Sequence, residues 1–260
     1  MTLYSKQDLL AVFNHKYRRH GPDQKLGWGP QLRLDFGYFT PDDIYETAVA
    51  ALVTEDTEWL DVGCGRAVFP HNFTTAKLLA EKCRLLVGLD PSDNIKENQI
   101  IHRHFQGLIE DFDWDQQFDL VTLRMVAEHI TNPEVAVAAL GRICKSGGRV
   151  VIYTVYRWSP VTLISDVTPF SLHHHIKRFL WGSKEKDTFP TAYKMNTRRA
   201  LAGLFQDAGF DEEEFRYLDD CRSFSHWKFT NMLELSMWKV LAALRLHYPE
   251  VCVFGIYRKR

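Results

Sequence analysis

The chain has 260 residues, 32 Lys and Arg against 33 Asp and Glu, and a formal net charge of −1 at pH 7. That length buries a sizeable core as one elaborated domain and leaves two full domains cramped. The charge balance supplies no global field that would draw the molecule onto nucleic acid or an anionic membrane.

The sequence shows no internal repeat or low-complexity tract, and its signal is an alternation of short β-branched runs with helical patterns. Pro41-Asp42-Asp43 opens a helix with Ile44, Ala48 and Leu52 at helical spacing, and a strand follows at Glu58 to Val62. A helix over Asn72 to Lys82, a buried strand over Arg84 to Asp90 and a further helix from Ser92 come next. His102 to Gln106 and Phe118 to Leu123 read as strands, and Glu134 to Ile143 as a helix ending in a turn at Lys145 to Gly148. Arg149 to Val155 supplies the fifth strand. Repeated β-α-β units of this length predict an α/β fold: a doubly wound, mostly parallel, Rossmann-like sheet with right-handed crossovers.

From Tyr156 to Thr191 the chain is rich in aromatics, Pro and His without a period, and is read as a lid. A helix over Asn196 to Ala208 with Gly209 behind it, a strand near Phe215 to Leu218 and a last strand over Val251 to Tyr257 complete a seven-stranded sheet. The organisation predicted is an N-terminal arm or lid over 1–41, a cofactor core over 42–155, a lid insertion over 156–195, and a C-terminal completion over 196–260 with a helical insertion at 223–247. That insertion carries Met232, Leu235, Trp238, Leu241 and Leu244, read as core packing or as a cover for the sheet edge or an apolar substrate.

The chemistry concentrates in two short segments. Asp61-Val62-Gly63-Cys64-Gly65 follows a buried strand and opens toward a helix, where an open α/β sheet presents backbone to a ligand. The glycines leave room for close approach, and the turn uses conformations that glycine permits. A dinucleotide fingerprint would place a third glycine at position 68, where the chain has Val68. Gly88-Leu89-Asp90-Pro91-Ser92 ends the second strand, and a carboxylate there accepts both hydroxyls of a ribose.

With these motifs residues 42 to 155 resemble the class I S-adenosylmethionine-dependent methyltransferases, specifically their small-molecule branch, with D-V-G-C-G-x-G, G-x-D, a-E-D-x-x-F and L-K-P-G-G segments. The resemblance implies that Asp61, Gly63, Cys64 and Gly65 contact the methionine part of S-adenosylmethionine. It implies that Asp90 holds the ribose, that Pro91 packs near the adenine, and that Ile109-Glu110-Asp111 forms the adenine turn. Arg124 and Met125 then meet the methionine end, and Ile143 to Gly148 matches the L-K-P-G-G turn. Ala67 stands where the family has its third glycine and Ser146 where it has proline.

The implied reaction is in-line attack of an N, O or C nucleophile on a sulfonium methyl, in which positioning supplies much of the rate and no metal is required. A base is needed where the nucleophile arrives protonated. His129 is the first candidate, the alternative being a histidine that anchors a helix to backbone. Adjacent His173, His174 and His175 diverge too far on a helix to share one metal ion, but one of them, taken as His173, could line the substrate cavity. Tyr153, Tyr156, Arg157 and Trp158 leave the fifth strand, and Phe189 to Tyr193 returns the lid. These aromatics either sandwich a planar acceptor or seal the lid. In the N-terminal arm, Arg33 is assigned to the cofactor carboxylate.

The acceptor expected is a small aromatic or lipophilic metabolite, for instance a secondary metabolite, sugar or lipid-linked precursor. A tRNA or protein methyltransferase and a non-methylating binder of the cofactor stand as alternatives, with no nucleic-acid partner expected because a basic stripe is lacking. Cys64, Cys83, Cys144, Cys221 and Cys252 show no C-x-x-C spacing and an odd count, which fits reduced thiols and a cytoplasmic protein. Neither an export signal in Met1 to His20 nor a membrane span is expected, since the apolar stretch Met232 to Leu246 is interrupted by Glu234, Lys239 and Arg245. The assembly state stays open, a homodimer among the options.

Overall fold

A computed structural model describes residues 3–17, 26–160, 162–163 and 190–260. Helices α1 (Lys6–Tyr17) and α2 (Trp28–Phe36) precede α3 (Pro41–Leu52). Thr40 and Asp43 close a capping box at the start of α3, with Pro41 in its first turn. Strand β1 (Glu58–Val62) is buried at every position, as a strand covered on both faces must be. Asn72 then caps α4 (Phe73–Lys82), and β2 (Leu85–Asp90) follows.

The helix expected from Ser92 is a single 3₁₀ turn, Asp93–Glu97. Asp93 and Asn94 favour turns over helix, and Asn98 ends the turn by donating its amide to the Cys64 and Gly65 carbonyls. Beyond it lie β3 (Arg103–Gln106), β4 (Phe118–Arg124) and α5 (Pro133–Ile143). Strand β5 runs Cys144–Val155 and starts before the expected Arg149. The Lys145 to Gly148 turn is absorbed as an irregularity: Phe118 faces Cys144 while Leu120 faces Arg149, with Gly147 at φ 79°.

Helix α6 (Arg198–Asp207) is capped by Thr197, and β6 spans Phe210–Asp219, longer than the expected Phe215 to Leu218. The acidic run Asp211 to Glu214 hid its first half. On this edge strand those carboxylates meet Arg260, Arg198, Arg149 and Arg216 instead of a core. Helix α7 (Lys228–Ala243) and strand β7 (Glu250–Lys259) complete the chain.

The seven-stranded sheet has the order β3-β2-β1-β4-β5-β7-β6, with β7 antiparallel to both neighbours. Side chains alternate across it, sending Leu60 to the core under α5 and α6 and Trp59 to the core under α3 and α4. Strand order reverses between β1 and β4, which opens a crevice at their carboxyl ends. No helix among the described residues is long and apolar enough to cross a membrane. All five cysteines are buried and unpaired.

Helix α1 is fastened to α3 by Lys16, whose buried ammonium lies 3.0 Å from Asp43 and 3.2 Å from Glu46. Burial pushes the Glu46 carboxyl up to about 7 despite that lysine. Between its unfolded value and about 7 the folded Glu46 binds a proton that the unfolded chain has released, so this group's contribution to stability falls as pH rises. Lys16→Ala strips the pair of its cation and should destabilise by about 3–5 kcal/mol in denaturant melts, more at pH 8 than at pH 5.

Candidate active site

Strand β1 ends in a turn tied to β2, the Gly63 N–H donating to the Leu89 carbonyl at 2.6 Å. Gly63 stands at φ 71° and Gly65 at φ 44°, both in the left-handed region. Their spatial reasons differ. A Cβ on Gly63 would sit 2.2 Å from a Val126 methyl, so packing against the end of β4 excludes it, whereas a Cβ on Gly65 would meet only an Asp90 oxygen at 3.9 Å. Room for a ligand is therefore made at Gly65. Cys64 is buried and turns its sulfur toward Gly88.

Asp90 accepts the Gly65 N–H on one oxygen at 2.9 Å and the Ser92 N–H on the other at 2.8 Å. Two rigid backbone donors fix the carboxylate, and its remaining lone pairs suit adjacent ribose hydroxyls. In front lies a cavity of about 1200 Å³. Asp61, Gly63, Cys64, Gly65, Asp90, Pro91, Ile109, Glu110, Arg124, Met125 and His129 all line it.

The inner wall carries charge under strain. Asp61 accepts from the Thr122 hydroxyl, which itself accepts from the Trp59 indole at 2.7 Å, and burial pushes the Asp61 carboxyl up to about 7. Met125 holds φ 53° while its N–H reaches the Tyr153 carbonyl at 2.7 Å, an uncommon conformation for a non-glycine residue. The Arg124 guanidinium contacts Asp42 at 2.7 Å, yet its buried Nε has no partner. A buried donor of this kind fits the carboxylate at the methionine end of the implied cofactor.

Glu128 and His71 also line the cavity and were missed by sequence reasoning. Glu128 accepts from the Thr154 hydroxyl at 2.6 Å, and burial pushes its carboxyl above the ordinary range. Its backbone carbonyl receives the Ala192 and Tyr193 N–H groups. The signal was present in the Glu128-His129 pair, where attention fell on the histidine alone. His71, whose imidazole is pushed down by burial, belongs to no motif.

The remaining candidates lie elsewhere. Tyr153 is fully buried in β5 between the Tyr45 ring at 5.3 Å and the Arg124 guanidinium, because strand alternation sends it under α3 and not into the cavity. Arg33 is buried on α2 over the Tyr17 ring at 5.1 Å, outside the cavity lining, and α1 packs against α3 and α4. Tyr193, at φ 52°, lies outside the lining with the Arg157 guanidinium over its ring at 5.1 Å. His173, His174, His175 and Phe189, with most of the expected lid, lie outside the described residues. Among the described residues no cluster of His, Cys, Asp and Glu could hold a metal ion.

A family model described as Methyltransferase domain matches residues 39–214. The ubiquinone biosynthesis O-methyltransferase of Azoarcus sp. is 30% identical over 108 residues, 38% of this chain and 44% of that protein. The enzyme of the same name from Rickettsia conorii is 22% identical over 201 residues, 74% of this chain and 64% of that protein. The chain thus spans less than two thirds of the length of these curated relatives. Among solved structures, the S-adenosylmethionine dependent methyltransferase from Mesorhizobium loti superposes with a TM-score of 0.55 at 14% identity, covering 85% of this chain and 98% of that one, a likeness of fold.

Asp90→Asn keeps an acceptor for the Gly65 N–H while removing the charge and half of the acceptor capacity that ribose hydroxyls would use, whereas Asp90→Ala also strips the Gly65 and Ser92 N–H groups of their partner and is read against its own melting temperature. With Asp90→Asn, affinity for S-adenosylmethionine measured by titration calorimetry should drop roughly 10- to 100-fold with the melting temperature little changed, and unchanged affinity would misplace the ribose.

Proposed function

The chain belongs to the methyltransferase domain family as a class I S-adenosylmethionine-dependent methyltransferase, and we propose that it methylates a hydroxyl oxygen of a small aromatic or lipophilic acceptor. One observation carries this reading: the cavity of about 1200 Å³ exceeds the roughly 300–1,000 Å³ of ordinary ligand pockets, so it accommodates a cofactor and a second molecule together. The curated relatives are named for ubiquinone biosynthesis, which supports a lipid-linked phenol over a sugar or a secondary metabolite.

Bound S-adenosylmethionine supplies an electrophilic methyl on a sulfonium. Asp90 would orient its ribose, and the part-exposed Arg124 guanidinium would hold its carboxylate, the part first assigned to Arg33. The acceptor enters from the side of Glu128 and His129. His129 Nδ1 lies 2.9 Å from the Pro190 carbonyl, which can only accept, so Nδ1 is the donor in that contact. With the cofactor bound, His129 would take the proton of the acceptor hydroxyl, and the sulfonium would supply the methyl group.

Recognition of a nucleic acid receives no support from the basic Tyr257 to Arg260 segment. Lys259 donates to the Gly141 and Cys144 carbonyls, and Arg260 pairs with Asp211 at 2.9 Å. Incubation with S-adenosylmethionine tritiated in its methyl group and a cell extract should label a low-mass, solvent-extractable product. Label confined to RNA or protein would overturn the reading, as would cofactor binding without transfer. His129→Gln should lower kcat about 10²- to 10⁴-fold and leave cofactor affinity intact, and an unaltered kcat would remove the histidine from the chemistry.

A further inference from the structure

Helix α7 carries two apolar faces, and the fold packs only one. Leu235, Trp238 and Leu241 turn inward against Leu32, Phe36 and Tyr38. Phe229, Met232, Leu233, Met237, Val240 and Leu244 are exposed. At about 100° per residue these six share an arc of about 140° opposite the packed face. Water-facing helix surfaces are polar, and a contiguous exposed apolar stripe marks an interaction site. More than half of the exposed large apolar side chains among the described residues fall between Phe224 and Leu246.

Along the α7 segment itself the exposed charge has one sign. Glu234 is the only acid between Arg222 and Pro249, and it is buried against Asn231 and Tyr248. Lys228 and Lys239 border the stripe on one side, Arg245 follows the helix, and all three are exposed. Exposed Trp227 stands at the helix start. Aromatic and aliphatic residues on one face with cations at its border describe a helix that lies in a membrane surface.

We propose that α7 docks flat on an anionic lipid bilayer, burying the Phe229 to Leu244 stripe at headgroup depth with Lys228, Lys239 and Arg245 against the lipid phosphates. A second copy of the chain could cover the stripe, but isologous contact of α7 on α7 sets each cationic border against another segment holding no exposed acid, whereas anionic lipid complements it. The near-neutral whole chain averages this patch away, and the interrupted stretch that is too short to span a bilayer suits a helix lying within its surface. Strand β6 ends and β7 begins at the carboxyl edge of the sheet, so docking turns that edge toward the membrane. The inference rests on α7 and holds whichever acceptor is methylated.

Flotation with vesicles tests it, comparing pure phosphatidylcholine with equal parts phosphatidylcholine and phosphatidylglycerol. The full chain should float with the anionic vesicles and far less with the neutral ones. Phe229→Glu combined with Val240→Glu, both outside the core, should reduce flotation at least about tenfold while melting like the parent. Absence of flotation, or flotation that survives the double substitution, overturns the proposal. So does a dimer that the double substitution converts to monomer in sedimentation without any binding to vesicles.

Discussion

A carboxylate buried at position 42 lies between two guanidinium groups, 2.7 Å from Arg124 and 3.0 Å from Arg222, and Arg222 closes the set on Asp220 at 2.6 Å. Two acids and two bases leave no net charge, which is what permits such groups to be buried together. The four residues come from the start of α3, the end of β4 and the connection after β6. One electrostatic constraint thereby holds the N-terminal helices, the central strands and the C-terminal insertion around a single edge of the sheet. The two arginines hold the Asp42 carboxyl far below its ordinary range. Its charge in turn fixes Arg124 at the cavity wall with a donor still to be satisfied.

That constraint is absent from the sequence as a pattern, since its members lie up to 180 positions apart. What the sequence discloses is local. The buried strands β1, β2, β4 and β5 announce themselves by β-branched or apolar runs, whereas exposed β3 carries Arg103 and His104, and the glycine turn and Asp90 are read from a few consecutive residues. The errors arise where a local rule meets a distant partner. The first half of β6 looks like a charged loop until Arg149, Arg198 and Arg260 are seen beside it, and the glycine pair before Arg149 looks like a turn until its place opposite β4 is known.

The same division separates the halves of the site. One side of the cavity is built largely from backbone in short turns, so spacing alone places Gly63, Gly65 and Asp90 around it. The other lining residues are assembled from the ends of several elements, and there sequence proximity misleads. Tyr153 stands one strand away from β4 yet points under α3, and Arg33 belongs to an arm whose first helix packs over α3 and α4 away from the cavity lining. Glu128 enters the site because β4 ends in the left-handed turn at Met125, a distortion held by the Tyr153 carbonyl and the methyl groups of Val126 against Gly63.

Three carboxyl groups around this edge exist in different states for different physical reasons. Asp42 is kept ionised by two arginines, whereas Asp61 and Glu128 are pushed toward the protonated form by burial, each retaining one hydroxyl donor, from Thr122 and Thr154. The wall beside Arg124 is therefore suited to a ligand's anion, and the wall beside Asp61 to a cation whose arrival restores the lost charge. A zwitterionic amino-acid moiety presents both signs a few bonds apart, and these two walls would hold its two ends. The order of charges around the crevice would thus orient such a ligand before any acceptor is bound.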